Sequence, residues 1–333
     1  MPRNWQEALP PWHTTALIVL LLAIFTARIP DRLAAMDQNM ANHVMHTNFP
    51  ELLTIRQVGL IRLMMGSVIM MDTIYAFFYG KWDQDTEYYY PYSRLQVVRG
   101  IPFRGYFASG GGSLSKACMT MSSFTMWSWV VQGTTFMMLG GMTLYLDTHP
   151  NHELSIWLYR AVMIGWKICA PASFLVSAIV KYILWPLALE AKSNGPGTNN
   201  ANVLKHPLAL LEHNWNVLSA LVEVALLGGL PIRYQDFVWA PLFGLVYVLY
   251  SYAMMYAWVS PKFGPQYIYP FLDSTMGWLT SVCLLALLGV LMLSFGIFYA
   301  LDYFITEILP EGNVWSHVAS VVAIGLCVCR FCD

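Results

Sequence analysis

The chain has 333 residues, of which 57% are apolar and only 11% charged. A soluble globular domain carries about 25% charged residues, so the composition excludes an ordinary water-soluble domain and points to a membrane protein. The formal net charge of −1 excludes the basic surface that a nucleic-acid partner requires; membrane lipids are the expected surroundings.

Eight apolar segments follow one another, at 14–28, 54–79, 117–146, 157–186, 208–231, 237–258, 275–304 and 314–330. About 20 residues are needed to cross a hydrocarbon core of ~30 Å, and the six middle segments satisfy this. The first is short. Its ALIVLLLAIF core resembles a signal-peptide h-region, but Arg28, Asp31 and Arg32 follow it with no small-x-small cleavage site, so an uncleaved anchor or interfacial helix is expected. The last segment is also short. The fold class predicted is all-α: a polytopic membrane helical bundle with six core transmembrane helices and short N- and C-terminal hydrophobic segments. Residues 1–53 form the N-terminal anchor or interfacial segment, 54–304 the six-helix core and 305–333 the hydrophobic tail.

Between the segments, 80–116 is the longest polar stretch. Its KWDQDTEYYYPY tyrosines suit a headgroup-level belt. KSNGPGTNN at 192–200 reads as a turn-rich connector. If every segment crosses, ten Lys and Arg, among them Lys81, Arg94, Lys205 and Arg330, fall on one side. Five, among them Arg28, Arg56, Arg160 and Arg233, fall on the other. The excess predicts both termini in the cytosol. The six cysteines are too irregularly placed for a disulfide scaffold and read as inert thiols. No metal and no cofactor is expected.

The polar residues inside the apolar runs are the candidate site. The segments starting at 117, 208 and 275 begin on the same side, so their first turns can meet. Thr125 lies eight residues past 117, about 12 Å along a helix; His213 lies near the start of the next; YPFLD brings Asp273 to the third. Gln132 is seven residues from Thr125, on the same helical stripe, and EHNWNVLSALVE aligns His213, Asn216 and Glu223. Buried polar groups in lipid are costly and face the bundle interior or a water-filled cavity. The ordinary alternative for a membrane threonine is a hydroxyl returned to its own backbone. For a lone histidine it is a cap. Glu223 pairs with a lysine or sits protonated, and Trp127 and Trp129 read as packing or interfacial residues.

Three motifs in order sharpen this. GGGSLS followed by FTMWSWVVQ, then EHNWN, then YIYPFLD before the last core segment together resemble the androgen-induced-gene and androgen-dependent TFPI-regulating protein family, over about 54–304. The resemblance implies a six-helix intramembrane hydrolase that cleaves fatty-acid esters of hydroxy fatty acids with a threonine nucleophile and a histidine. Thr125, in FTMW, matches the nucleophile and His213, in HNWN, the base. Asn216, Gln132, Glu223, Trp127 and Asp273 are the supporting or substrate-binding candidates. The terminal segments are additions to the family pattern, and the loop before Thr125 is longer. The chemistry stands on its own terms: a threonine hydroxyl attacks an ester when a neighbouring base takes its proton, and an imidazole does this and returns it to the leaving alcohol. Asn216 or a backbone amide near the glycines would serve the oxyanion.

Other classes fit less well. His43/His46 and His149/His152 are two isolated pairs without the further boxes of a di-iron enzyme, and no G-x-S-x-G occurs. The rival class is a non-catalytic accessory subunit of a large membrane complex, with the 80–116 loop and terminal segments as docking surfaces for partner subunits.

Overall fold

A computed structural model describes residues 10–36, 40–79, 121–186, 189, 204–255, 269–310 and 312–330. The 80–116 loop with its GGGSLS motif, the 192–200 connector, Cys118 and Cys332 lie outside these residues. The described chain is all-helical, with no strand. In order, the helices are α1 (Trp12–Thr26), α2 (Ile29–Met36), α3 (Met40–Val44), α4 (Ile55–Tyr79), α5 (Phe124–Thr148), α6 (Ile156–Leu184), α7 (207–227), α8 (Trp239–Met254), α9 (Trp278–Tyr303) and α10 (Val314–Val328).

Local chemistry sets several boundaries. α7 starts with Pro207, whose missing N–H costs nothing in a first turn, while the His206 ring accepts from the Leu208 N–H at 3.3 Å. α10 starts behind Asn313, whose side chain accepts from the Ser316 N–H at 3.3 Å. Pro171 lies inside α6, where it deprives the Lys167 carbonyl of its helical partner. α7 contains two π-type turns, Leu211–Trp215 and Glu223–Leu227, and ends at Gly228 and Gly229. Gly228 has φ 108°, and a Cβ there would sit 2.9 Å from the Thr47 Cα, so this reversal needs glycine twice over.

Among the described residues, five helices are long and apolar enough to cross a membrane: Trp12–Ala34, Ile55–Tyr79, Ile156–Leu184, Tyr234–Met254 and Trp278–Ile308. This set differs from the six core segments expected. The N-terminal stretch qualifies because α2 continues it. α5 and α7 do not qualify, because too many of their positions are polar or glycine; in α5, Ser128, Gln132, Gly133, Thr135, Gly140 and Thr143 are all buried. A helix surrounded by other helices meets protein rather than lipid, so its own apolarity can fall.

The chain forms two compact units. The smaller takes the described parts of Met1–Arg28, Tyr75–Phe124 and Pro241–Leu291. In it, Ser281 hydrogen-bonds His13 Nδ1 at 2.8 Å and Thr14 Oγ at 2.7 Å. Phe124 packs on Phe243 and Tyr247, and the Tyr247 hydroxyl donates to the Ser122 carbonyl at 2.8 Å.

The larger unit takes Ile29–Ile74, Thr125–Ala240 and Met292–Asp333. Its α4 and α5 run antiparallel along two glycine pairs spaced by seven residues. A Cβ on Gly140 would lie 2.8 Å from the Gly59 carbonyl oxygen and the Leu63 nitrogen, and one on Gly66 would lie 2.8 Å from the Met137 nitrogen. Small residues let the backbones approach and gain dispersion contacts along the seam. From α4 to α7, Arg62 and Glu223 form a fully buried ion pair. Arg62 Nε lies 3.0 and 3.1 Å from the two carboxylate oxygens and one terminal nitrogen 2.6 Å from Oε1. The other terminal nitrogen donates to the Val44 carbonyl and Thr143 Oγ, both at 2.9 Å. A second buried pair joins Lys167 on α6 to Asp236 at 2.8 Å. Trp166, fully buried, donates its indole N–H to the Leu230 carbonyl at 2.7 Å.

Candidate functional site

The larger unit holds Thr125, Trp127, Gln132, His213, Asn216 and Glu223. Hydrogen bonds fix the direction of the helices that carry them. Gln132 on α5 donates to the Asn216 carbonyl at 2.7 Å and to Ser219 Oγ at 3.0 Å on α7. Further along both helices, Thr143 and Glu223 share Arg62. Residue numbers rise together on both sides, so α5 and α7 run parallel. Thr125 lies about 10 Å before Gln132 and His213 about 4.5 Å before Asn216 at 1.5 Å per residue. Both therefore sit at one end of this unit.

Thr125 occupies the first turn of α5, one residue after its start at Phe124, and not the depth of eight residues expected from a helix beginning at 117. It is half-buried; its carbonyl accepts from Ser128 Oγ at 2.9 Å. One turn on, the Trp129 indole N–H donates to Asp72 Oδ2 at 3.1 Å. Asp72 Oδ1 is buried without a hydrogen bond.

His213 lies in the first π-type turn of α7 and is half-buried. Its Nδ1 bonds the Ala209 carbonyl of its own helix, and its backbone carbonyl accepts from Ser177 Oγ. A carbonyl only accepts, so Nδ1 carries the proton and Nε2 keeps the lone pair. That is the tautomer a base acting through Nε2 needs. No hydrogen bond joins Thr125 to His213 among the described residues.

Asn216 is fully buried, and neither atom of its side-chain amide has a hydrogen-bond partner; Gln132 Oε1 is in the same condition. Three orphaned amide atoms on one contacting pair of residues are unusual, because buried polar groups are almost always paired. Trp127 is half-buried.

Two of the supporting candidates have other places. Glu223 is committed to Arg62 and closed to solvent, so it is neither paired with a lysine nor free for a substrate; the guanidinium fork takes both its oxygens. Asp273 belongs to the smaller unit, where it is buried and its backbone carbonyl accepts from Thr280 Oγ at 3.0 Å. Arg62, Asp72, Lys167 and Asp302 are further buried charges inside apolar runs that no motif selects. That pattern alone marks such residues as paired or functional. Compared with known proteins, the chain matches no family model, no curated protein and no solved structure.

Proposed function

We propose that the chain is an integral membrane helical bundle whose Thr125–His213 end hydrolyses lipid esters, fatty-acid esters of hydroxy fatty acids or similar. Membrane residence is supported by the apolar surface that the fold leaves uncovered. Only 33% of the most apolar window in Trp278–Ile308 is buried, and 17% of that in Trp12–Ala34. Leu293, Met71 and Phe78 stand 63%, 70% and 70% exposed, a surface that water would not tolerate on a monomer and lipid tails would. A six-helix core, with α5 and α7 as spans shielded by their neighbours and both termini cytosolic, is the topology proposed.

The observation that carries the catalytic reading is the parallel register of α5 and α7, which brings a first-turn threonine and a histidine with a free Nε2 to one end. The π-type turn around His213 is a further pointer, because such turns recur at functional sites. In the reaction, Thr125 Oγ attacks the ester carbonyl carbon and passes its proton to His213 Nε2. The tetrahedral oxyanion collapses, breaking the C–O bond to the alcohol, which leaves with that proton. Water, deprotonated in turn by His213, then releases the fatty acid and restores the threonine. Asn216, level with Gln132 and about 10 Å along from Thr125, is fully buried and too far along the bundle to serve the oxyanion. A fluorophosphonate probe tests this: wild type is labelled, and Thr125→Ala is not. Equal labelling of both proteins refutes the nucleophile.

A second reading has its own observation. His213 bonds the backbone of its own helix, as a structural histidine does, and Thr125 and His213 share no hydrogen bond. On that reading the protein is a non-catalytic accessory subunit of a membrane complex, wild type stays unlabelled, and it co-purifies stoichiometrically with partner subunits.

A further inference from the structure

At the other end of the larger unit, where α7 terminates, lies a cavity of about 650 Å³, within the 300–1,000 Å³ usual for small-molecule sites. His43, His46, Arg233, Asp302, Glu307 and His317 line it. It is distinct from the Thr125–His213 end, because α7 runs from one to the other.

Arg233 brings a cation to this lining, and its charge acts on His43. His43 itself is held below the usual histidine range, first by burial and then by the charges of Arg233, His46 and Lys167, so its imidazole is a neutral hydrogen-bonding group beside the Arg233 cation. Asp302 and Glu307 give the cavity acceptor-rich ground as well. Asp302 is buried, and its carboxylate accepts from the Ile232 N–H at 3.3 Å through Oδ2.

His317 is the decisive residue. It is 5% exposed. Its Nδ1 bonds the Ala225 carbonyl at 2.9 Å, so Nδ1 carries the proton and Nε2 is an acceptor. Nε2 is buried and has no hydrogen-bond partner. Leaving a buried polar atom unmade is costly, and a partner that lines up with it must be a donor. The cavity thus holds a guanidinium and imidazoles together with acceptors, one of them, His317 Nε2, buried and vacant.

We propose that this cavity binds a phosphoethanolamine group, with the phosphate against Arg233 and the paired histidines, and the primary ammonium donating to His317 Nε2 and Asp302. The same chemistry comes from phosphatidylethanolamine or from a free phosphoethanolamine monoester. A choline headgroup presents the same phosphate but no N–H, so it isolates the ammonium contact.

The test is lipid retention by the purified full-length chain. Protein in detergent is incubated with equal amounts of phosphatidylethanolamine and phosphatidylcholine of matched acyl chains, and bound lipid is counted by native mass spectrometry. Hydrogen bonds to a charged group predict a preference for phosphatidylethanolamine of about tenfold or more. His317→Phe is expected to erase the preference, and Arg233→Gln to lower retention of both lipids. Arg233 is exposed, so its variant keeps the test valid where a buried variant fails to fold. Displacement of bound lipid by soluble phosphoethanolamine supports the group with a free monoester as a source; a preference that resists displacement supports it with the lipid as the source. Equal retention of the two lipids by wild type overturns the proposal, as does a folded Arg233→Gln protein that retains both as wild type does.

Discussion

Glu223→Ala is expected to be among the most destabilising single substitutions in the larger unit. It removes both oxygens that meet Arg62 Nε and a terminal nitrogen at 2.6–3.1 Å. The guanidinium, fully buried, keeps only the Val44 carbonyl and Thr143 Oγ. Breaking one partner of a buried pair costs about 3–5 kcal/mol, because the survivor is an uncompensated charge. Replacing both partners removes that charge, so Arg62→Met with Glu223→Leu is expected to recover most of the loss. The assay is reversible unfolding in mixed micelles with increasing denaturing detergent, followed by tryptophan fluorescence; the buried indoles Trp129 and Trp166 both report on this unit. A loss under about 1 kcal/mol, the scale of an exposed pair, refutes the buried pair. So does a double variant as unstable as the single one.

The glycine seam gives an internal control. Gly140→Ala is expected to cost about 1–3 kcal/mol by forcing α4 and α5 apart, since its Cβ would meet backbone atoms at 2.8 Å, whereas Gly141→Ala, with nothing within 4 Å, is expected to be neutral or slightly stabilising; similar losses in the same unfolding assay would contradict the seam. His43 links stability to pH. Its folded-state pKa lies below the ordinary 6.5, so the unfolded chain binds the proton more readily, and stability is full above 6.5 and declines as pH falls below it. His43→Gln is expected to flatten that acid-side decline, and an unchanged profile would show that His43 contributes nothing to it.

The helical class is legible because apolar runs of 20 residues or more announce themselves. Which runs face lipid is not, since that depends on neighbours: α5 is long, but its buried hydroxyls, glycines and Gln132 make sense only against α4 and α7. The stripe from Thr125 to Gln132 is readable from helical period, as is the alignment of Asn216 with Glu223. The start of α5 at Phe124 is not, because the apolar run begins earlier than the helix described. The heptad spacing of Gly59 with Gly66 and of Gly133 with Gly140 stands in plain view in the sequence, yet only the fold pairs the two helices. Glu223 illustrates a different limit. Its partner Arg62 lies 161 residues away, and no local pattern selects an arginine on α4 over any lysine. The cavity where α7 ends combines α3, the glycine turn after α7, α9 and α10, with residues too scattered to form a motif.

The central claim is tested most directly by ester turnover. Purified protein in detergent is given a fatty-acid ester of a hydroxy fatty acid, with wild type, Thr125→Ala and His213→Ala side by side, and released fatty acid is measured. The account predicts turnover by wild type and a loss of about 100-fold or more in each variant, the scale of removing a nucleophile or its base. Three equal rates, or none in any protein while all remain folded, would contradict it.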